Sequence, residues 1–122
     1  MDYSSGQFAK LMEISLDTLR YYEKEGLIKS ERKENNHRVY HENDVKWMEF
    51  IKRLKDTGMP IKEIKIYAKL RAEGAHTMSN RMELLINHRK ALKERMKKLS
   101  EDCIRLDEKI EYYEEMIRLQ NK

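Results

Sequence analysis

Twelve positions, Met78, Met82, Leu85, Arg89, Leu92, Met96, Leu99, Cys103, Leu106, Ile110, Tyr113 and Ile117, follow one another at spacings that alternate between four and three. That alternation keeps them on one narrow stripe of a helix, the seam along which the helices of a coiled coil meet. Only Arg89 departs from the apolar pattern. A helix from Thr77 to Leu119 is about 64 Å long at 1.5 Å per residue, too long for the small preceding segment to cover. The seam therefore calls for a second chain. Met82, Leu85, Leu92, Met96, Leu99, Cys103, Leu106, Ile110 and Tyr113 are the expected interface residues.

Charge selects the direction in which that second chain runs. From Thr77 to Lys98, seven basic residues stand against Glu83 and Glu94. From Leu99 to Leu119, seven acids stand against Arg105, Lys109 and Arg118. A parallel pair sets like against like, whereas an antiparallel pair lays each basic half along an acidic half. The expectation is an antiparallel homodimer, with Met82 approaching Ile110 or Tyr113 of the other copy.

The residues ahead of the seam read as short helices around one break. Ser4 and Gln7 have capping-box spacing, and Phe8, Leu11 and Met12 recur on one face, which predicts a helix over 4–12. Ser15 offers a second N-cap; Leu16, Leu19 and Tyr22 then define an inward face, and Gly26 sits where a left-handed stop belongs. Two short helices meeting around Glu13 and Ile14 have the layout of a helix-turn-helix, whose second helix fits a DNA major groove. Between Leu27 and Tyr40 the helical period fails. Asn35 and Asn36 accept turn geometry there, and the flanks KSERK and HRVY predict a small hairpin, a wing. Periodicity returns over 42–57 with Val45, Met48, Ile51 and Leu54, widened by Trp47 and Phe50, and Gly58 ends it. Pro60 suits the opening of a fourth helix, whose Ile61, Ile64 and Tyr67 point inward as far as the break at Glu73 and Gly74.

The fold class that follows is mostly α. A winged helix-turn-helix DNA-binding domain with a second two-helix unit occupies 1–75, and a dimerisation helix forming an antiparallel coiled coil occupies 76–122.

Composition narrows the functional classes. Hydrophobic and charged residues each make up 39% of the chain, a balance that suits an elongated helical protein better than one with a large core. A net charge of +4 permits an anionic partner without proving one. The lone Cys103 excludes an internal disulfide framework and a cysteine-rich zinc site. The N-terminal stretch MDYSSGQF has no charged-then-apolar signal and no apolar run has membrane length, so a cytoplasmic location without a membrane partner is expected. No phosphate-cradling glycine loop, activated nucleophile or convincing carboxylate pair supports catalysis, and no cofactor is implied.

Within the second helix, Asp17, Thr18, Arg20, Tyr21 and Lys24 lie off the inward face and are free to meet DNA. An arginine fork suits guanine or phosphate, and hydroxyls hydrogen-bond phosphates or base edges. The wing adds Arg32, Lys33, His37, Arg38 and Tyr40. Singly these read as solvated polar groups; together, on two adjacent elements, they read as a nucleic-acid surface. The rival is a coiled-coil adaptor whose N-terminal domain binds protein, separable by salt-dependent binding to a duplex.

These residues also carry a resemblance. LDTLRYYEKEGLI, then HRVYHENDV, then FIKRLKDTGMPIKEIK are similar to the corresponding segments of the MerR family of transcriptional regulators, and the likeness runs over essentially the whole chain. The resemblance implies a dimer on a pseudo-palindrome in promoter DNA, with RNA polymerase on the same promoter and transcription controlled by bending and untwisting the duplex. Carried over by position, it assigns DNA contacts to Asp17, Thr18, Arg20 and Tyr21 in the recognition helix and to Arg38 and Tyr40 in the wing, with phosphate contacts added by Lys62 and Lys65. Where the family usually has glycine and an aromatic, this wing has Asn36 and His37.

The resemblance also bears on sensing. Metal-responsive members carry cysteines near the start of the dimerisation helix, where this chain has Thr77 and Met78, so no metal is expected. The closest local likeness is to the aldehyde-responsive branch, whose reactive cysteine follows the FIK string; here that position is Arg53, which has no nucleophilic thiolate. Cys103, on the seam, reads as a packed small hydrophobe. His37, His41, His76 and His88 lack ligand spacing and read as surface residues.

Overall fold

A computed structural model describes residues 1–122 and resolves five α-helices and one two-stranded hairpin. Helix α1 spans Ser5–Leu11 and opens with the reciprocal capping box: the Gln7 amide donates to Ser4 Oγ, and the Ser4 amide donates to Gln7 Oε1. Glu13 ends the next turn in the left-handed region at φ 57, and Ser15 then caps helix α2, Leu16–Lys24. Gly26 stops α2 at φ 77, where an L side chain is disfavoured. Strands β1, Glu31–Arg32, and β2, Arg38–Val39, pair antiparallel with Glu31 opposite Val39. Tyr3 bridges to Tyr40 and extends this small sheet by one backbone pairing.

Helix α3, Glu42–Asp56, and helix α4, Ile61–Glu73, form the second two-helix unit, turning at Gly58 with φ 87. Pro60 stands at the N-cap of α4. A short 3₁₀ turn, Ala75–Thr77, then leads into helix α5, Met78–Gln120. Thr77 is buried and its hydroxyl serves two carbonyls, Leu70 at 2.6 Å and Gly74 at 2.8 Å, which satisfies backbone groups that the α4 terminus leaves open.

The chain divides into two units, Met1–Leu85 and Ile86–Lys122. The first holds the core. Phe8, Leu19, Leu27, Tyr40, Met48, Ile51 and Ile64 are sealed from solvent, and Leu84 and Leu85 pack against the same cluster. Two polar groups at its edge are paired with backbone carbonyls: the Trp47 indole donates to the Leu27 carbonyl at 2.7 Å, and Lys52 donates to the Met12 carbonyl at 2.6 Å, placing a cation at the end of α1. Leu16 departs from the expected inward face and is 41% exposed, because it occupies the first position of α2, at the edge of the packed surface.

The second unit is helix alone, and no residue in it is buried. Met96, Leu99, Cys103, Leu106, Ile110, Tyr113 and Ile117 are all exposed in the single chain. Leu92 is half-buried. No helix of the protein is long and apolar enough to cross a membrane.

Candidate nucleic-acid interface

Burial of Leu19 and Tyr22 fixes the rotation of α2, and helical geometry then turns Asp17, Arg20, Tyr21 and Lys24 outward. Asp17 and Arg20 approach within 3.6 Å, but with both side chains largely solvated the pair is weak and leaves the guanidinium available. Thr18 is half-buried at the cap: its amide donates to Ser15 Oγ at 3.0 Å, and the Ser15 hydroxyl donates to Thr18 Oγ1 at 2.9 Å.

The wing meets α2 through Glu23. One carboxylate oxygen accepts a very short hydrogen bond from the Tyr40 hydroxyl; the other lies 2.5 Å from Arg38 Nε. The Arg38 contact is one of charge, since Nε is buried without an aligned hydrogen bond. Burial, followed by the Glu23 carboxylate, pushes the Tyr40 phenol well above its ordinary value, so the hydroxyl remains a donor. Arg20, Glu23 and Arg38 line one hollow of about 50 Å³, which brings an arginine from the helix and one from the wing to a single crevice.

The expected wing contacts therefore separate. Arg38 reaches the surface and is partly exposed. Tyr40 does not: it is fully buried, its ring stacked on Phe8 at 4.3 Å, so its place is in the core and direct contact with DNA is excluded. Its backbone bridge to Tyr3 and the stacking of its ring on Phe8 hold it on the packed side. His37 is exposed at the hairpin turn, where its amide donates to Asn35 Oδ1 and Asn36 takes the left-handed conformation at φ 65. Arg32 is spent on the same turn, donating to the Asn36 carbonyl at 3.0 Å.

Lys62 and Lys65 stand in the first turns of α4, on exposed positions. Lys65 pairs with Glu25 at 2.6 Å, tying α4 to the end of α2. The pairing holds the Glu25 carboxyl below its ordinary range and the Lys65 ammonium above its own.

Two residues were not singled out by sequence. Glu23 lies four residues after Leu19, on the rim of the buried face, and that spacing is the one available signal. His41 is the second. Its Nδ1 lies 2.8 Å from Asp2 and its Nε2 3.0 Å from Glu31, and the two carboxylates raise its pKa. Those partners come from the N-terminus and β1, so no local spacing announces them.

The MerR HTH family regulatory protein description matches residues 3–70, and the MerR DNA-binding description matches residues 45–108. An uncharacterised HTH-type transcriptional regulator of Haemophilus influenzae is 33% identical over 115 residues, spanning 93% of this chain and 85% of its own. The HTH-type transcriptional regulator AdhR of Bacillus subtilis is 40% identical over 87 residues, spanning 70% of this chain and 62% of its own. Among solved structures, HiNmlR, described as a MerR family regulator lacking the sensor domain and bound to promoter DNA, superposes with a TM-score of 0.83 at 33% identity, covering 94% of this chain and 92% of that one. A MerR family regulator from Listeria monocytogenes gives a TM-score of 0.86 at 34% identity, covering 92% and 86%.

Proposed function

This chain belongs to the MerR family of DNA-binding transcriptional regulators, and from that premise we propose that two copies, paired antiparallel through α5, read a pseudo-palindrome in promoter DNA. Each copy lays α2 in a major groove and sets its wing on the adjacent backbone. Arg20, Tyr21 and Lys24 meet base edges or phosphates, with Asp17 and Thr18 at the cap of the same helix; Arg38 and His37 act from the wing, and Lys62 and Lys65 add phosphate contacts. Transcription is controlled by distorting the duplex between the two half-sites, with RNA polymerase on the same promoter. The chain carries out no catalysis of its own.

The observation that carries this reading is the convergence of Arg20 and Arg38 on one crevice around Glu23. Arginine side chains are suited to backbone phosphate, and contacts from two elements define an orientation that one helix alone does not.

The test is selection of bound genomic fragments at physiological salt, followed by fluorescence anisotropy across a salt series. The expected result is one enriched motif with two-fold symmetry and an affinity that falls steeply as salt rises. Recovery of fragments without a shared motif, or binding insensitive to salt, contradicts the proposal. The adaptor reading has no observation in its favour.

A further inference from the structure

His41 stands where three parts of the compact unit meet. It is the N-cap of α3, its backbone amide donates to Asp44 Oδ2 at 2.8 Å, and its ring reaches the N-terminus and the wing at once. Nδ1 lies 2.8 Å from Asp2 Oδ1, and Nε2 lies 3.0 Å from Glu31 Oε2. A neutral imidazole carries one N–H; only the cation carries two. Carboxylates at both nitrogens therefore suit the charged ring, because a neutral ring turns a lone pair toward one of them.

Two opposed fields act on that charge. The N-terminal end of α3 is positive and disfavours a cation. Against it stand Asp2 from the N-terminus, Glu31 from β1, and Glu42 and Asp44 from the first turn of α3, with the Tyr3 hydroxyl donating to Glu42. Glu31 first, and Asp2 after it, hold the ring's pKa above its ordinary value, so the carboxylates prevail over the helix end.

The wing needs such a tie. Its strands are two residues each, and their ladder sets Arg32 directly opposite Arg38, like charges that push the strands apart. A two-stranded ribbon has at best marginal stability of its own. Glu23 anchors β2 through Arg38. On β1, Arg32 bonds within the hairpin, to the Asn36 carbonyl, while Glu31 reaches out to His41 and so joins the strand to α3.

We propose that charged His41 is a positioning residue for the wing, holding β1 to α3 and to the N-terminus, and that loss of its proton frees one of these ties and weakens DNA binding. This rests on the DNA-binding reading proposed above and adds to it a dependence on pH. Arg38, across the ladder from Arg32, is presented to the duplex best while His41 carries its charge. Affinity is full below the titration of the folded ring and declines as pH rises through it.

The test uses the full chain and a duplex carrying its selected operator, at constant salt. Fluorescence anisotropy from about pH 6 to about pH 9 spans the range in which a histidine ring changes charge. The native chain is compared with His41→Gln and with Glu31→Gln; His37, the other ring on the wing, is present in all three and cancels in the comparison. Near-ultraviolet dichroism checks each fold, and Glu31, on an exposed strand position, supplies the variant least able to disturb it. The native affinity should fall across this range by about threefold more than that of either variant, the scale of one exposed ion pair. Nuclear magnetic resonance should show the Glu31 and Arg32 amides shifting with the midpoint of the His41 ring. Parallel pH profiles in all three proteins, a weakening by His41→Gln that is the same at every pH, or β1 amides that ignore the ring's titration overturn the proposal and leave operator binding standing. Absence of operator binding by the native chain at every pH overturns the DNA-binding reading, and the proposal with it.

Discussion

Between Met1 and Leu85 the apolar side chains find one another within a single chain: Phe8, Leu27, Tyr40, Met48 and Ile64 come from three helices, the loop after α2 and the end of the hairpin, and leave almost no surface to water. Between Ile86 and Lys122 the apolar side chains are regularly spaced and none is buried. Helix propensity alone stabilises an isolated helix only marginally, so the second region borrows its stability from whatever covers the seam. The difference teaches where each region's folding free energy resides. In the first it is intrinsic to the chain; in the second, given the dimer proposed above, it depends on concentration.

Substituting Leu99→Glu and Leu106→Glu strikes the second region alone. Each leucine is buried twice in a dimer, so at about 1.5 to 3 kcal/mol per side chain the dimer loses about 6 to 12 kcal/mol. The expected outcome is a monomer by light scattering, with lower helicity but intact near-ultraviolet dichroism from the first unit. Loss of both signals together would merge the two regions into one cooperative fold.

Ile51→Ala strikes the first region. Deleting a fully buried isoleucine costs about 2 to 5 kcal/mol through transfer and cavity terms. Thermal unfolding should shift by the corresponding amount while crosslinking through the seam persists in the folded protein. A shift that vanishes at high protein concentration would show that the core is also lent stability by assembly.

Arg20→Ala removes an exposed side chain, whereas Arg38→Ala also takes away the charge partner of Glu23, so folding is checked in each before binding is read. Operator binding should weaken by about 1 to 3 kcal/mol for each, read by anisotropy with dichroism as the folding control. Unchanged affinity in both variants would detach the crevice from DNA recognition.

The smallest effect concerns the edge of the first region. Asp2 and Glu31 raise the His41 pKa above 6.5, so the charged form is favoured in the folded state. The contribution is fully present below the unfolded value and is lost as pH rises through the folded one. Between those values, wild-type stability should fall with rising pH more than that of His41→Gln. Identical pH slopes would show that the contacts of His41 with Glu31 and Asp2 contribute nothing to stability.

Much of this architecture was legible because its signals are local. Ser4 with Gln7, Ser15 before Leu16, and Gly26 and Gly58 after their helices are chemical requirements of a cap or a stop, and the helices begin and end beside them. The long helix was legible for the same reason, its apolar spacing being local. What escaped was set by pairing across distance. Tyr40 reads as a wing residue until Phe8 and Glu23 claim it, and neither lies within a strand's reach of it in sequence. Leu16 fits the helical period but stands where the packed surface ends, an edge no period encodes. His41 looks solitary because its two carboxylates arrive from elsewhere.

The turn between α1 and α2 leaves room for engineering. Glu13 holds φ 57 there, a conformation in which its Cβ crowds the following carbonyl. Asn36 takes the same region at the wing but has a short side chain suited to it. Glycine at position 13 would relieve a strain of about 1 to 2 kcal/mol, offset in part by the greater freedom of glycine in the unfolded chain. The junction that aims the recognition helix is thus held below its attainable stability, and a single replacement there offers a more robust scaffold with the DNA-facing side chains untouched.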